Sequence, residues 1–165
     1  MPRYVRQHDE FRCGPIAILN ALKWAGSEAT ARLLPRLSKE TKCDLNYPGT
    51  WKTDLVVTLR KRGKKYFSVQ QDGHTSLKKI EECLRVDGAV LICFLCPGSR
   101  AKYGEWGGHY TLIVGVSRSG SSFMAVNRVT GEKPGLLRRR SLRNDLCRRK
   151  HDGTWYPTVW YLRKK

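Results

Sequence analysis

Apolar positions recur at helical spacing early in the chain and at strand spacing later. In CGPIAILNALKWAG, residues 13 to 26, only Asn20 and Lys23 interrupt a run that is apolar around nearly the whole helical circumference. That pattern predicts a central helix over 13 to 25, buried on all sides rather than lying on a surface. Pro15 suits an early helical position, where an N–H has no partner anyway, and Gly26 suits the end. Ser27 offers a cap for a short second helix ending before Pro35, and 36 to 52 reads as irregular around Asn46, Pro48 and Gly49. Thr53 caps DLVVTLRKR up to Gly63, and KYFSVQQ (65 to 71) alternates as a strand before a turn at Asp72-Gly73. After Ser76, the stripe of Leu77, Ile80 and Leu84 predicts a helix running to Asp87-Gly88.

Three β-like runs follow: AVLICFLC (89 to 96), HYTLIVGV (109 to 116) and FMAVNRV (123 to 129). The basic segment RRRSLRNDLCRRK and a last aromatic strand, TWYPTVWYL, close the chain. Helices first and mostly antiparallel strands after is an α+β order. With no repeat, linker or break in composition, one domain over 1 to 165 is expected, its core at about 4 to 130 and a basic extension with a final strand over 131 to 165.

Hydrophobic residues make up 40% of the chain, enough for one core. The apolar run 89 to 96 is far short of the roughly 20 residues that span a bilayer, and MPRYVRQHDEFRC lacks the apolar stretch of a secretory signal. The six cysteines are therefore expected to be reduced, inside a cell, rather than to form a disulfide scaffold. Charge alters this picture more than any other feature. Lys and Arg number 32 against 14 Asp and Glu, a net +18, which implies contact with something acidic, most often nucleic acid. The excess gathers in Arg60 to Lys65 and in Arg138 to Lys150, with the tail Arg163-Lys164-Lys165 behind them. Nucleic acid or an acidic protein is the expected partner of these runs, and phosphate contacts from them would be salt-sensitive and indifferent to sequence.

Among chemically capable residues, Cys13 stands at the head of the buried helix, where unpaired N–H groups and a partial positive charge favour thiolate over thiol; otherwise it packs as a small apolar residue. Of four histidines, His109 follows Gly107-Gly108 and opens a strand. If Arg118-Ser119-Gly120 is a three-residue hairpin loop with Gly120 left-handed, residue 117 faces 121 and 111 faces 127. Asn127 is then a diagonal neighbour of His109 and fits the third role of a triad, holding the imidazole in one tautomer. Gln7, six residues before Cys13, can turn its amide N–H towards an oxyanion beside the Cys13 backbone N–H, or be a solvated loop residue. Cys93-x-x-Cys96 with Cys147-x-x-x-His151 has the outline of a zinc site, but residues three apart in a strand face opposite sides, so buried core cysteines are expected, with no metal and no cofactor.

Gln7, CysGlyPro at 13 to 15 opening a buried helix, GlyHisTyr at 108 to 110 opening a strand, and a following strand that ends in an amide together resemble the papain-like cysteine peptidases. More closely, the chain is similar to the bacteriocin-processing, double-glycine leader peptidase domains over about residues 4 to 130. The resemblance implies a papain-like fold, acyl transfer through a thioester, Cys13 as nucleophile, His109 as general base then acid, Asn127 as orienting group and Gln7 in the oxyanion hole. A peptide or protein would be the substrate. The leader peptidases usually carry Asp-Pro at the third position, where this chain has Asn127-Arg128; papain itself uses Asn. An amidase or deamidase with the same triad is the enzymatic alternative. A non-catalytic basic protein of a nucleic-acid-containing particle such as a virion is the alternative of a different class.

Overall fold

All residues of α1 (Cys13–Trp24) except Lys23 are buried, as an apolar circumference requires. The computed structural model describes residues 2–9, 11–43, 49–72, 75–95, 108–128, 133–147 and 157–165. A 3-10 turn at Ala31–Leu33 leads into α2 (Leu34–Glu40). Here Pro35 opens a helix instead of closing one, because its fixed φ and missing N–H suit a first turn. The stretch expected to be irregular therefore begins with helix. After it comes α3 (Lys52–Gly63), which starts one residue before Thr53. Helix α4 (Leu77–Arg85) begins where the stripe predicts, and the Ser76 hydroxyl caps it by accepting the Lys79 N–H at 3.2 Å.

The strands are β1 (Phe67–Asp72), β2 (Ala89–Leu95), β3 (Gly108–Val116), β4 (Ser122–Val126), β5 (Gly135–Arg138) and β6 (Thr158–Lys164). They form one sheet in the order β1-β6-β2-β3-β4-β5, with every neighbouring pair antiparallel. The C-terminal strand thus lies inside the sheet, between β1 and β2. Helix α5 (Arg139–Cys147) follows β5 directly.

Helices cover both faces. On one, α1 residues such as Ala17 and Ile18 meet Leu91, Cys93, Tyr110, Leu112 and Trp160. On the other, Ile80 and Leu84 of α4 and Leu142 of α5 meet Ile92, Phe94, Ile113 and Phe123. Strand β2 is a continuous apolar run because both of its sides are buried. Trp160 is 1% exposed, with its indole N–H on Gln71 Oε1 at 3.1 Å, so the last aromatic strand turns this ring into the core. No helix among the described residues is long and apolar enough to cross a membrane.

The β3–β4 hairpin reaches the expected pairing by a different route. Ser117 N–H bonds to Ser122 O (2.8 Å), one residue later than a three-residue loop would give, while Gly120 is left-handed as expected (φ +70). A register shift between Ile113 and Gly115 then absorbs the extra residue, and Leu112 faces Val126. Extending that register by one pair places Thr111 opposite Asn127.

Candidate active site

The turn before α1 is fixed by Asp9, whose Oδ1 accepts the N–H groups of Phe11 (2.9 Å) and Arg12 (2.8 Å). It delivers Cys13, 5% exposed, to the N-terminal end of β3. Burial dominates the thiol and pushes its pKa up to about 12, against backbone hydrogen bonds from Tyr110, Gly14 and Cys13 itself, which lower it. The position at a helix N-terminus does act as expected, but desolvation outweighs it. Burial thus makes the thiolate harder to form here than in water.

His109, also buried, points its Nε2 at the Asn127 backbone carbonyl, 2.6 Å away. A carbonyl only accepts, so Nε2 carries the proton and Nδ1 is the basic nitrogen. Thr111 Oγ1 donates to the same carbonyl at 3.2 Å. Asn127 can aim its carbonyl inward because it is left-handed (φ 55), a region asparagine tolerates better than most residues. The group orienting the imidazole is therefore the main chain of Asn127, not its amide. Burial, first, and the Arg128 charge hold His109 below the usual histidine range, although the hydrogen bond to Asn127 raises it.

The Asn127 amide serves the N-terminal segment. Its Nδ2 donates to Val5 O (2.8 Å) and its Oδ1 accepts the Gln7 N–H (3.3 Å). Asn20, the polar interruption in α1, completes the clamp: its Nδ2 donates to Val5 O (2.9 Å) and its Oδ1 accepts the Val5 N–H (2.8 Å). Two asparagine amides thus converge on one carbonyl. Gln7, far from being a solvated loop residue, is 0% exposed. Its Nε2 donates to Asp9 O at 2.5 Å, and its Oε1 is buried without a hydrogen-bond partner among the described residues.

The four expected residues gather around the first residues of β3 and the turn after β4, but the thiol and the imidazole are not hydrogen-bonded to each other. Tyr110, beside the sulfur, faces the α1 side of the sheet, whereas His109 faces the other side, edge-on to Phe94 at 5.9 Å. Cys93 is buried on the α1 side, its thiol also pushed up to about 12 by burial. Cys96 and His151 lie outside the described residues, and no group of three His, Cys, Asp or Glu fit to hold a metal occurs among those described. Cys43 donates to Phe11 O at 3.0 Å, ahead of α1.

Thr50 is a supporting residue the sequence did not mark. Its carbonyl accepts the Tyr110 hydroxyl at 2.7 Å, and a Cβ added to Gly14 would fall 2.7 Å from its Cβ and Oγ1. Gly14→Ala is expected to push Thr50 away from α1 and destabilise the protein by about 1–3 kcal/mol, which urea unfolding would read. An unchanged midpoint would mean the loop yields freely.

No family model and no curated protein matches the chain. Two solved structures share its fold over nearly its whole length. The peptidase domain of Streptococcus ComA, a bi-functional ABC transporter involved in a quorum-sensing pathway, has a TM-score of 0.66 at 15% identity, covering 96% of this chain and 98% of that one. A Bacillus anthracis protein assigned as a C39-like peptidase has a TM-score of 0.68 at 11% identity, covering 99% and 94%. The fold is thus the papain-like α+β arrangement, with a cysteine-bearing buried helix against an antiparallel sheet.

Proposed function

We propose that the chain is a cysteine peptidase working by acyl transfer. Cys13 Sγ attacks the scissile carbonyl, and His109 Nδ1 takes the thiol proton and later gives it to the leaving amine. The Asn127 carbonyl holds the other ring proton. The oxyanion meets the backbone N–H of Cys13 and an N–H of the buried Gln7 amide. Water then releases the acyl group and regenerates the thiol. The observation that carries this reading is the fixed tautomer: a buried imidazole with Nε2–H on a carbonyl keeps its basic nitrogen for proton transfer. The sulfur lies against the residue next to it in β3. At rest the two groups face opposite sides of the sheet, so this reading requires the head of β3 to turn the His109 ring towards the sulfur when substrate binds.

The resting burial of the thiol favours a second reading, a binding scaffold that retains the fold without turnover. An electrophilic peptide probe separates the two. A peptidase yields one covalent adduct at Cys13, found by peptide mapping and lost in His109→Ala. A scaffold is labelled at the exposed Cys147, with Cys13 untouched. Ammonia release from glutamine peptides would mark a deamidase instead.

The basic surface supports a nucleic-acid partner. Residues Arg60 to Lys65 and Arg163 to Lys165 form one corner: Ser68 pairs with Arg163 and Phe67 with Lys164, Lys165 N–H bonds to Tyr66 O (3.0 Å), and Lys165 Nζ donates to Lys64 O (2.8 Å). The described part of Arg138 to Lys150 belongs to the opposite edge, on β5 and α5.

A further inference from the structure

A buried ion pair stands behind the imidazole. Arg128, next to Asn127, donates through Nη2 to Asp145 Oδ1 (3.0 Å) and Oδ2 (3.1 Å), and through Nε to Oδ2 (3.2 Å). Asp145, on α5, has a side chain only 2% exposed, and that of Arg128 is 20% exposed. The same guanidinium lies over the face of Phe94, 5.9 Å from its centroid. Phe94 in turn meets the His109 ring at 82°. A buried carboxylate is tolerated where its partner is held in place, and a shift of the turn after β4 would break the three hydrogen bonds that tie Arg128 to Asp145.

We propose that Arg128, anchored by Asp145, is a positioning residue for His109: it locks the left-handed Asn127 whose carbonyl holds Nε2–H and presses Phe94 against the imidazole. This rests on His109 being the base of the proposed peptidase. It makes α5, from the basic C-terminal region, part of the machinery. Among the described residues, the groups around the ring are Phe94 from β2, Thr111 from β3, the Asn127 carbonyl and Arg128 from the turn, with Asp145 of α5 behind Arg128; α1 brings Cys13 to the backbone of the next residue. Arg128 is the charged group among them that acts on the ring, and it opposes protonation.

The test uses the full chain with a labelled His109 ring followed by NMR. The double variant Arg128→Met with Asp145→Leu removes the pair together and refills its volume, which buried pairs tolerate better than removal of one partner; circular dichroism verifies folding. The ring titration is expected to move to higher pH, with the single Nε2–H tautomer giving way to a mixture. Asp145→Asn, leaving Arg128 uncompensated, moves the titration the other way. In turnover, kcat of the double variant falls by about 10- to 100-fold with KM little changed. A folded double variant with parental titration and tautomer overturns the proposal. If the ring responds as expected while the parent chain hydrolyses no peptide, the positioning role stands and the peptidase reading falls.

Discussion

Cys13→Ala is expected to lower kcat for peptide hydrolysis by at least about ten-thousandfold, the drop typical of removing a triad nucleophile, while the protein stays folded. The sulfur is one atom in a buried first turn whose neighbours are held by other groups: Asp9 fixes the preceding turn and Asn20 and Asn127 clamp Val5. Its removal leaves a small cavity, costing about 1–2 kcal/mol, less than truncating a larger core side chain. His109→Ala should cost nearly as much activity, and the double variant little more than either, since groups that act as one unit are not additive. Asn127→Gly separates the two jobs of that residue. Glycine keeps the left-handed φ and the carbonyl, so the ring keeps its tautomer, while the clamp on Val5 and Gln7 disappears. The expected drop is nearer 10- to 1000-fold, the scale of a disturbed oxyanion donor. Fluorogenic peptide assays with circular dichroism on each variant read all four. If Asn127→Gly costs as much as His109→Ala, the amide and not the carbonyl orients the imidazole.

Elements with one dominant local signal were legible. The apolar circumference of α1, the Leu77, Ile80 and Leu84 stripe of α4 and the unbroken apolar run of β2 each leave a single structural solution. The helix at Pro35 was misplaced because proline stops a helix from within and starts one from its first turn, and the sequence does not say which turn it occupies. Strand β5 is four residues with Leu136 74% exposed, too short for a period to show. The central place of β6 depends on pairings with β1 and β2 between 65 and 97 positions earlier, which no local pattern encodes.

The pairing of His109 with Asn127 was reached from a loop one residue too short, and the register shift near Val114 cancelled the difference. The four candidate residues were legible as types at suggestive positions, but which atoms each presents to its neighbours was not. That Asn127 meets the His109 ring with its carbonyl follows from a positive φ, and tertiary contacts decide that conformation. The thiolate expected at the head of α1 yielded to desolvation, which depends on how completely β3 and the loop at Thr50 close over it. Two neglected signals pointed further. Asn20, an amide amid an apolar helix, needs buried partners and finds both in Val5. Asp145, the lone acid among the cations of Arg138 to Lys150, is spaced i+3 from Leu142 and so shares its buried stripe; an acid there demands a cation, and Arg128 supplies it.

Binding of a short DNA duplex is expected to weaken by roughly 500-fold between 50 and 200 mM salt, the dependence given by about five phosphate contacts on B-DNA. Five is the number of cations at the corner that make no ion pair among the described residues: Arg60, Lys64, Lys65, Arg163 and Lys165. Of the others there, Lys61 and Arg62 are engaged by Glu40, and Lys164 by Asp87. On the opposite edge Arg139 pairs with Glu81 and Arg128 with Asp145, while Arg138, Arg140 and Arg143 remain exposed. The corner draws its charge from two chain segments about a hundred positions apart, stapled by the β1–β6 register, which makes it the candidate phosphate site for this test. Lys64→Gln with Lys65→Gln and Lys165→Gln should flatten the slope of log affinity against log salt by about three, near one for each phosphate left without its cation. Arg140→Gln with Arg143→Gln should leave it nearly unchanged. Fluorescence anisotropy over a salt series measures both slopes. Equal flattening by the two sets would mean that net charge and not the corner attracts the duplex, and no binding at 50 mM salt would remove nucleic acid as the partner.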